Sequence, residues 1–235
     1  MRGVSLSGYL CSLWLLRMTK TISKSSSNQK KIFPDPTPQQ INSDFVYLPN
    51  QTSHLIMSQK VLLNSKEVTI ILHRLACQLI EKHLDFSDTI LVGIQPRGVF
   101  LAERLKQLLE NEYQVPEISL GYLDITFFRD DFRRTDKPLE ANKTQINFIV
   151  EDKKVIFIDD VLFTGRSIRS ALTAIQSFGR PSEIELLVLI DRRFSRNLPI
   201  QPDYRGRQVD AINGEKVKVS WKENEGEDIV HLVTN

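Results

Sequence analysis

The chain has 235 residues, 41% of them hydrophobic and 26% charged, enough to bury one good core and for no more than one domain with appendages. Its net charge of +2 is too mild to announce a nucleic-acid partner by itself, although it leaves room for a local basic face. The two cysteines, Cys11 and Cys77, stand far apart; they suggest neither a disulfide framework nor a zinc site and suit a reducing cytoplasm.

Residues 1–56 differ in composition from the rest. Ser25, Ser26, Ser27, Asn28, Lys30, Lys31, Pro34, Pro36, Pro38, Gln39 and Gln40 form a polar tract that lacks the apolar surface needed to order itself, so a flexible arm is expected. The short apolar patch of Leu13, Trp14, Leu15 and Leu16 is broken by Arg17 and Lys20. It shows no convincing cleavage site for a signal peptide and is too short to span a bilayer.

From Met57 onward the pattern becomes that of a folded domain. A short strand precedes Asn64 or Ser65 as a helix cap, and Val68, Ile71, Leu72, Leu75, Leu79 and Ile80 give the helix an apolar face. A buried strand is expected from Thr89 to Ile94, followed by a tight loop, Gln95, Pro96, Arg97 and Gly98. A second helix then turns Val99, Ala102 and Leu105 inward. Leu120 to Phe128 reads as a strand. A charged span without structural periodicity opens with Arg129, Asp130 and Asp131 and reaches Ile149; loops of this length in a compact domain are usually functional lids or disordered.

The chemically richest stretch comes next. Val155, Ile156, Phe157 and Ile158 read as a buried strand, Asp159 and Asp160 as acids at its end, and Val161, Leu162, Phe163, Thr164, Gly165, Arg166 and Ser167 as a loop leading into a helix. Acids at the end of a parallel strand face the crevice in which open α/β sheets bind ligands. The loop and helix start offer unpaired N–H groups and the hydroxyls of Thr164 and Ser167, which suit a phosphate monoester. The carboxylates can then hold the hydroxyls of the attached sugar, or a hydrated Mg²⁺ nearby. The earlier loop at Gln95 to Gly98 would lie at the same sheet edge and suits a pyrophosphate. Gly179 is expected to stop the helix, with a strand from Glu183 to Ile190 and further strands near Lys216 to Val219 and Ile229 to Val233.

The stretch from Val155 to Ser167 resembles the PRPP signature of type I phosphoribosyltransferases, in the form carried by the PyrR family of pyrimidine attenuation regulators and uracil phosphoribosyltransferases. The start at Met57 is also similar to the ordinary amino terminus of that family, so residues 1–56 are expected to lie upstream of the natural start or to be dispensable. The resemblance implies an α/β type I phosphoribosyltransferase fold over 57–235: a mostly parallel sheet of about five strands flanked by helices, a lid at about 128–152 and a small hood at about 191–235. It implies conversion of uracil and PRPP to UMP and pyrophosphate, with Mg²⁺ carried by substrate oxygens.

By the same resemblance Asp159, Asp160, Arg97 and Arg129 are the catalytic candidates. Gln95, Pro96, Arg97 and Gly98 match the pyrophosphate loop, Pro96 standing where the family usually has Thr, and Arg129, Asp130 and Asp131 match the lid. Ile190, Asp191 and Arg192 match the base-binding edge. Arg74, Arg196 and Arg207 are the candidates for contacting pyr leader mRNA, although Phe194 and Ser195 replace a usual His, Gln201 a usual Arg, and Ala211 a common hydroxyl residue. Family members assemble as dimers or higher oligomers. Two other readings stay open: a phosphoribosyltransferase without an RNA partner, perhaps one accepting purines, and a PRPP or nucleotide sensor without turnover.

Overall fold

The structure, a computed structural model, describes residues 58–130, 141–211 and 214–234. The expected arm at 1–56 and the lid residue Asp131 lie outside the described residues. The described chain runs β1 (Ser58–Leu63), α1 (Ser65–His83), β2 (Thr89–Ile94), α2 (Gly98–Asn111), β3 (Ser119–Leu123), a 3-10 turn (Thr126–Phe128), β4 (Lys154–Leu162), α3 (Arg166–Ile175), β5 (Glu183–Arg193), β6 (Tyr204–Asp210), β7 (Glu215–Ser220), α4 (Lys222–Glu225) and β8 (Ile229–Thr234).

Five strands form a sheet in the order β3-β2-β4-β5-β6, every neighbouring pair parallel. Such a sheet is buried on both faces, which is why its strands read as near-continuous apolar runs. Alternation along each strand divides the runs between two cores. Leu91, Ile156, Ile158, Leu187 and Leu189 pack with Leu72, Leu75 and Leu79 of α1 and Leu101 and Leu105 of α2. Ile90, Val92, Val155, Phe157 and Val188 face the other way, against Ile168, Ala171, Ala174 and Ile175 of α3.

The sheet order reverses between β2 and β4, so the loops after these two strands open at a topological switch point. Local sequence sets where the helices on one face of the sheet begin. Asn64 caps α1 in a reciprocal box with Glu67. Gly98 begins α2 hard against β4, where a Cβ would overlap the carbonyl oxygen of Ile158.

The second sheet is antiparallel, in the order β1-β8-β7. Two of its strands come from the stretch expected to form the hood, but β1 supplies the third, and β6 leaves that stretch to complete the main sheet. β3 stops at Leu123, short of the expected Phe128. The reason is Asp124, whose carboxylate accepts hydrogen bonds from the Thr126 amide (3.0 Å), the Thr126 hydroxyl (2.6 Å) and the Asn142 amide (3.0 Å). It thereby turns the chain out of the sheet and clamps both arms of the long loop. α3 ends at Ile175, before Gly179.

Candidate active site

β4 runs through both acids to Leu162, longer than expected. Its pairing with β2 ends at Gly93 and Ile158, whereas its pairing with β5 continues to Leu162 and Asp191. Asp159 and Asp160 thus lie just where β2 has stopped covering that edge. Val155, Ile156, Phe157 and Ile158 have no accessible surface. They are the floor that fixes the acids and cannot themselves touch a ligand, which narrows the contacting part of the stretch to Asp159 onward.

A cavity of about 270 Å³ opens beyond the strand, lined by Arg129, Asp159, the loop from Val161 to Gly165, Arg166, Ser167 and Ile168. Gly165 takes φ +88° at the N-cap of α3, a left-handed conformation that a side chain disfavours. A Cβ there would also press within 3.2 Å of Ile200. The first residues of α3, Arg166, Ser167 and Ile168, line the cavity, where the helix end favours an anion. Thr164 and Ser167, partly buried, bring hydroxyls to the same rim.

Burial pushes the Asp159 carboxyl well above the usual carboxylate range, and the neighbouring Asp160 charge adds to it. Burial raises Asp160 as well, opposed by the Arg97 guanidinium, whose Nε donates to Asp160 Oδ2 at 3.0 Å. Arg97 also donates to the carbonyl of Val219 and, at 3.2 Å, to Glu225. It therefore joins the Gln95 to Gly98 loop both to the acid pair and to the small sheet. The Gln95–Pro96 peptide is cis.

The lid candidates Arg129 and Asp130 stand beside α3. Ser170 Oγ donates to the carbonyl of Phe128 (3.1 Å), and Asp130 pairs with Arg169 (3.0 Å) and Arg166 (3.8 Å). Ile190, Asp191 and Arg192 fall inside β5 rather than at its end. Arg192 lies 4.0 Å over the Phe163 ring, so the base-edge candidate touches the signature loop. Its Nη2 donates to the Glu215 carbonyl (3.0 Å) while the buried Nε has no partner among the described residues.

Among the described residues no three His, Cys, Asp or Glu side chains converge as a ready-made metal site. The hard carboxylate oxygen at the cavity fits Mg²⁺ held mainly by substrate oxygens, with Asp159 beside it.

Residues 58–224 match the phosphoribosyl transferase domain family. The Bifunctional protein PyrR of Desulfosudis oleivorans is 42% identical over 73% of this chain and 94% of its own length. The chain belongs to the PyrR family. The PyrR protein of Nostoc punctiforme gives 43% identity over 75% of this chain and 99% of its own. In fold, the PyrR chain is similar to a hypoxanthine phosphoribosyl transferase of Trypanosoma cruzi, with a TM-score of 0.58, 14% identity, and coverage of 77% of this chain and 93% of that one.

Of the three arginines that resemblance to PyrR singled out for RNA, Arg74 and Arg207 are exposed neighbours and Arg196 is not exposed, and each donates to backbone carbonyls. Arg74 bonds the carbonyls of Arg205 and Gly206 (3.1 and 2.5 Å), and Arg207 that of Leu62 (2.7 Å). Arg196 bonds the signature loop, as described below. Sequence reasoning missed Glu225, which carries no motif; Asp124, Ile125 and Thr126 were legible as resembling the start of the PyrR lid, but not the clamp that the Asp124 carboxylate forms on Thr126 and Asn142.

Proposed function

We infer that the chain transfers phosphoribose from PRPP to uracil, giving UMP and pyrophosphate, and that it also regulates pyr mRNA in response to UMP. The observation that carries the enzymatic part is the opening of Asp159 and the loop at 163–167 onto one cavity, with the buried Asp160 beside it held by Arg97. The loop amides, Thr164 and Ser167 hold the 5′-phosphate, and Asp159 and Asp160 hold the ribose hydroxyls. Their negative charge favours the cation-like anomeric carbon as the bond to pyrophosphate breaks. Arg97 and Arg129 receive the charge of the departing pyrophosphate, and the lid over Arg129 excludes water that would hydrolyse the centre. Mg²⁺, when bound with PRPP, neutralises pyrophosphate charge.

Uracil is assigned through membership of the PyrR family, with Asp191 and Arg192 of β5 at the base; Ile190, expected there too, has no accessible surface and can only support that edge. The regulatory half rests on the relatives named bifunctional. We place the activity in the cytoplasm, where the exposed thiol of Cys77 stays reduced, and among the described residues no helix is long and apolar enough to cross a membrane. We assign it to residues 57–235, acting as a homo-oligomer.

A panel of radiolabelled uracil, hypoxanthine and guanine with PRPP and Mg²⁺ tests the reaction. UMP from uracil alone is expected, on the full chain and on one shortened to Met57. A purine nucleotide as the main product, or none at all, contradicts the reading. Titration with pyr leader RNA at several salt concentrations tests regulation: affinity should rise with UMP and fall with salt, and binding indifferent to UMP removes it.

A further inference from the structure

The segment joining β5 to β6 carries no residue of the acid pair, the pyrophosphate loop or the lid, yet it is built against the phosphate loop. Arg196, with a side chain 23% exposed, is the centre of that contact. Its Nη1 donates to the carbonyls of Leu162 (3.1 Å) and Phe163, its Nε to the carbonyl of Ile200 (3.0 Å), and its Nη2 to the buried carboxylate of Asp191. One planar guanidinium thus bridges the end of β4, the segment beyond β5, and β5 itself, a geometry that a lysine ammonium cannot span. The backbone repeats the link. Asn197 N donates to the carbonyl of Thr164 at 3.0 Å, and Leu198 and Ile200 pack beside Gly165.

These carbonyls matter because of where they sit. When the carbonyls of Leu162, Phe163 and Thr164 are held from behind, the peptide planes between them have fixed orientations. The amides of Phe163, Thr164 and Gly165, on the other side of those planes and in residues that line the cavity, are fixed with them. A flexible loop would have to lose that freedom on binding; a braced one has already lost it.

We propose that Arg196 is a positioning residue for the phosphate loop, acting from within the protein rather than from an RNA-facing surface. The proposal deepens the phosphoribosyl reading and rests on it for its kinetic consequence, but its structural consequence stands alone. Since the loop grips the 5′-phosphate in both ground and transition states, loosening it removes uniform binding, which raises KM and spares kcat.

The test compares the full-length wild type with Arg196→Met, which has no donors, and Arg196→Lys, which keeps the charge beside Asp191. Amide hydrogen exchange is followed in peptides covering 162–167 and, as a reference, β2. Arg196→Met is expected to speed exchange in the loop about 10-fold while leaving β2 protected. It should raise KM for PRPP about 10-fold with kcat within about 3-fold and KM for uracil unmoved. Arg196→Lys should show the same pattern to a smaller extent. Loop exchange equal to wild type in Arg196→Met overturns the proposal, even if affinity for leader RNA falls. If Arg196→Met does not fold, Arg196→Lys decides by the same loop signal, and wild-type exchange there overturns it too. A wild type that makes no UMP defeats the uracil reading, while the exchange result still judges the strut.

Discussion

Arg97 Nε lies 3.0 Å from Asp160 Oδ2, so the loop after β2 and the acids of β4 are held together by a charge-assisted hydrogen bond across the switch point. Gly98 makes this approach available, because only a residue without a Cβ lets α2 begin against the backbone of Ile158. The guanidinium opposes the rise in the Asp160 pKa that burial causes. Removing it in Arg97→Met leaves that rise unopposed, so the acid limb of the kcat/KM profile should move to higher pH. A profile with an unmoved acid limb would show that the pair does not set the titration.

Asp160→Asn keeps the size of the side chain and, on the proposed reading, removes charge from beside the reacting carbon. Turnover is expected to fall about 100-fold or more, the scale of losing one preorganised electrostatic contact. UMP formation under saturating substrates measures it, and an unchanged rate counts against the role given to this carboxylate.

Asp159 carries a raised pKa through burial and the Asp160 charge. Between its ordinary value of 3.8 and the higher folded value, the folded state binds more protons than the unfolded chain. Its contribution to stability is therefore present below the ordinary value and lost as pH rises through that window. Asp159→Asn has no such loss. Its Tm should exceed that of wild type at neutral pH, and the gap should narrow on acidification, as thermal unfolding at a series of pH values will show. A gap that is constant or widens towards acid contradicts the assignment.

At the opposite end of the sheet, Glu185 is 2% exposed and accepts from Tyr204 (2.6 Å) while lying 3.0 Å from His83 Nε2 and 2.5 Å from Lys82. Burial would raise its pKa, but the Lys82 and Tyr204 hydrogen bonds and the His83 contacts outweigh this, and the net shift is downward. The stability it lends is present above the ordinary value of 4.5 and lost as pH falls through the lower folded value. Glu185→Ala takes their shared carboxylate from His83 and Tyr204, leaving only the contact of one with the other (3.0 Å) at that spot, and should cost about 3 kcal/mol, read from chemical denaturation. A cost within about 0.5 kcal/mol would mean that the network contributes little.

The parts of this fold legible in the sequence are those with local causes. β2 coincides with the Thr89 to Ile94 run, Asn64 caps α1, and α3 begins at Arg166 just after Gly165, because apolar runs, caps and glycines act over a few residues. The acid pair and its loop were readable for the same reason. What escaped depends on distant partners. Nothing in Ser58 to Leu63 announces pairing with Ile229 to Thr234. Arg196, in a basic, polar segment, looks like a surface residue until its carbonyl partners at Leu162 and Phe163, at the end of β4 and just beyond it, are seen. The early end of β3 likewise follows from the capture of Asn142 by Asp124 across the long loop.

A crystal structure of the protein with UMP tests most directly whether the acid pair and the loop act as one receptacle. The 5′-phosphate should lie within hydrogen-bond distance of the amides of residues 163–167, with the ribose hydroxyls against Asp159 and Asp160. UMP bound elsewhere, with this cavity left to solvent, would contradict both the catalytic and the regulatory assignment.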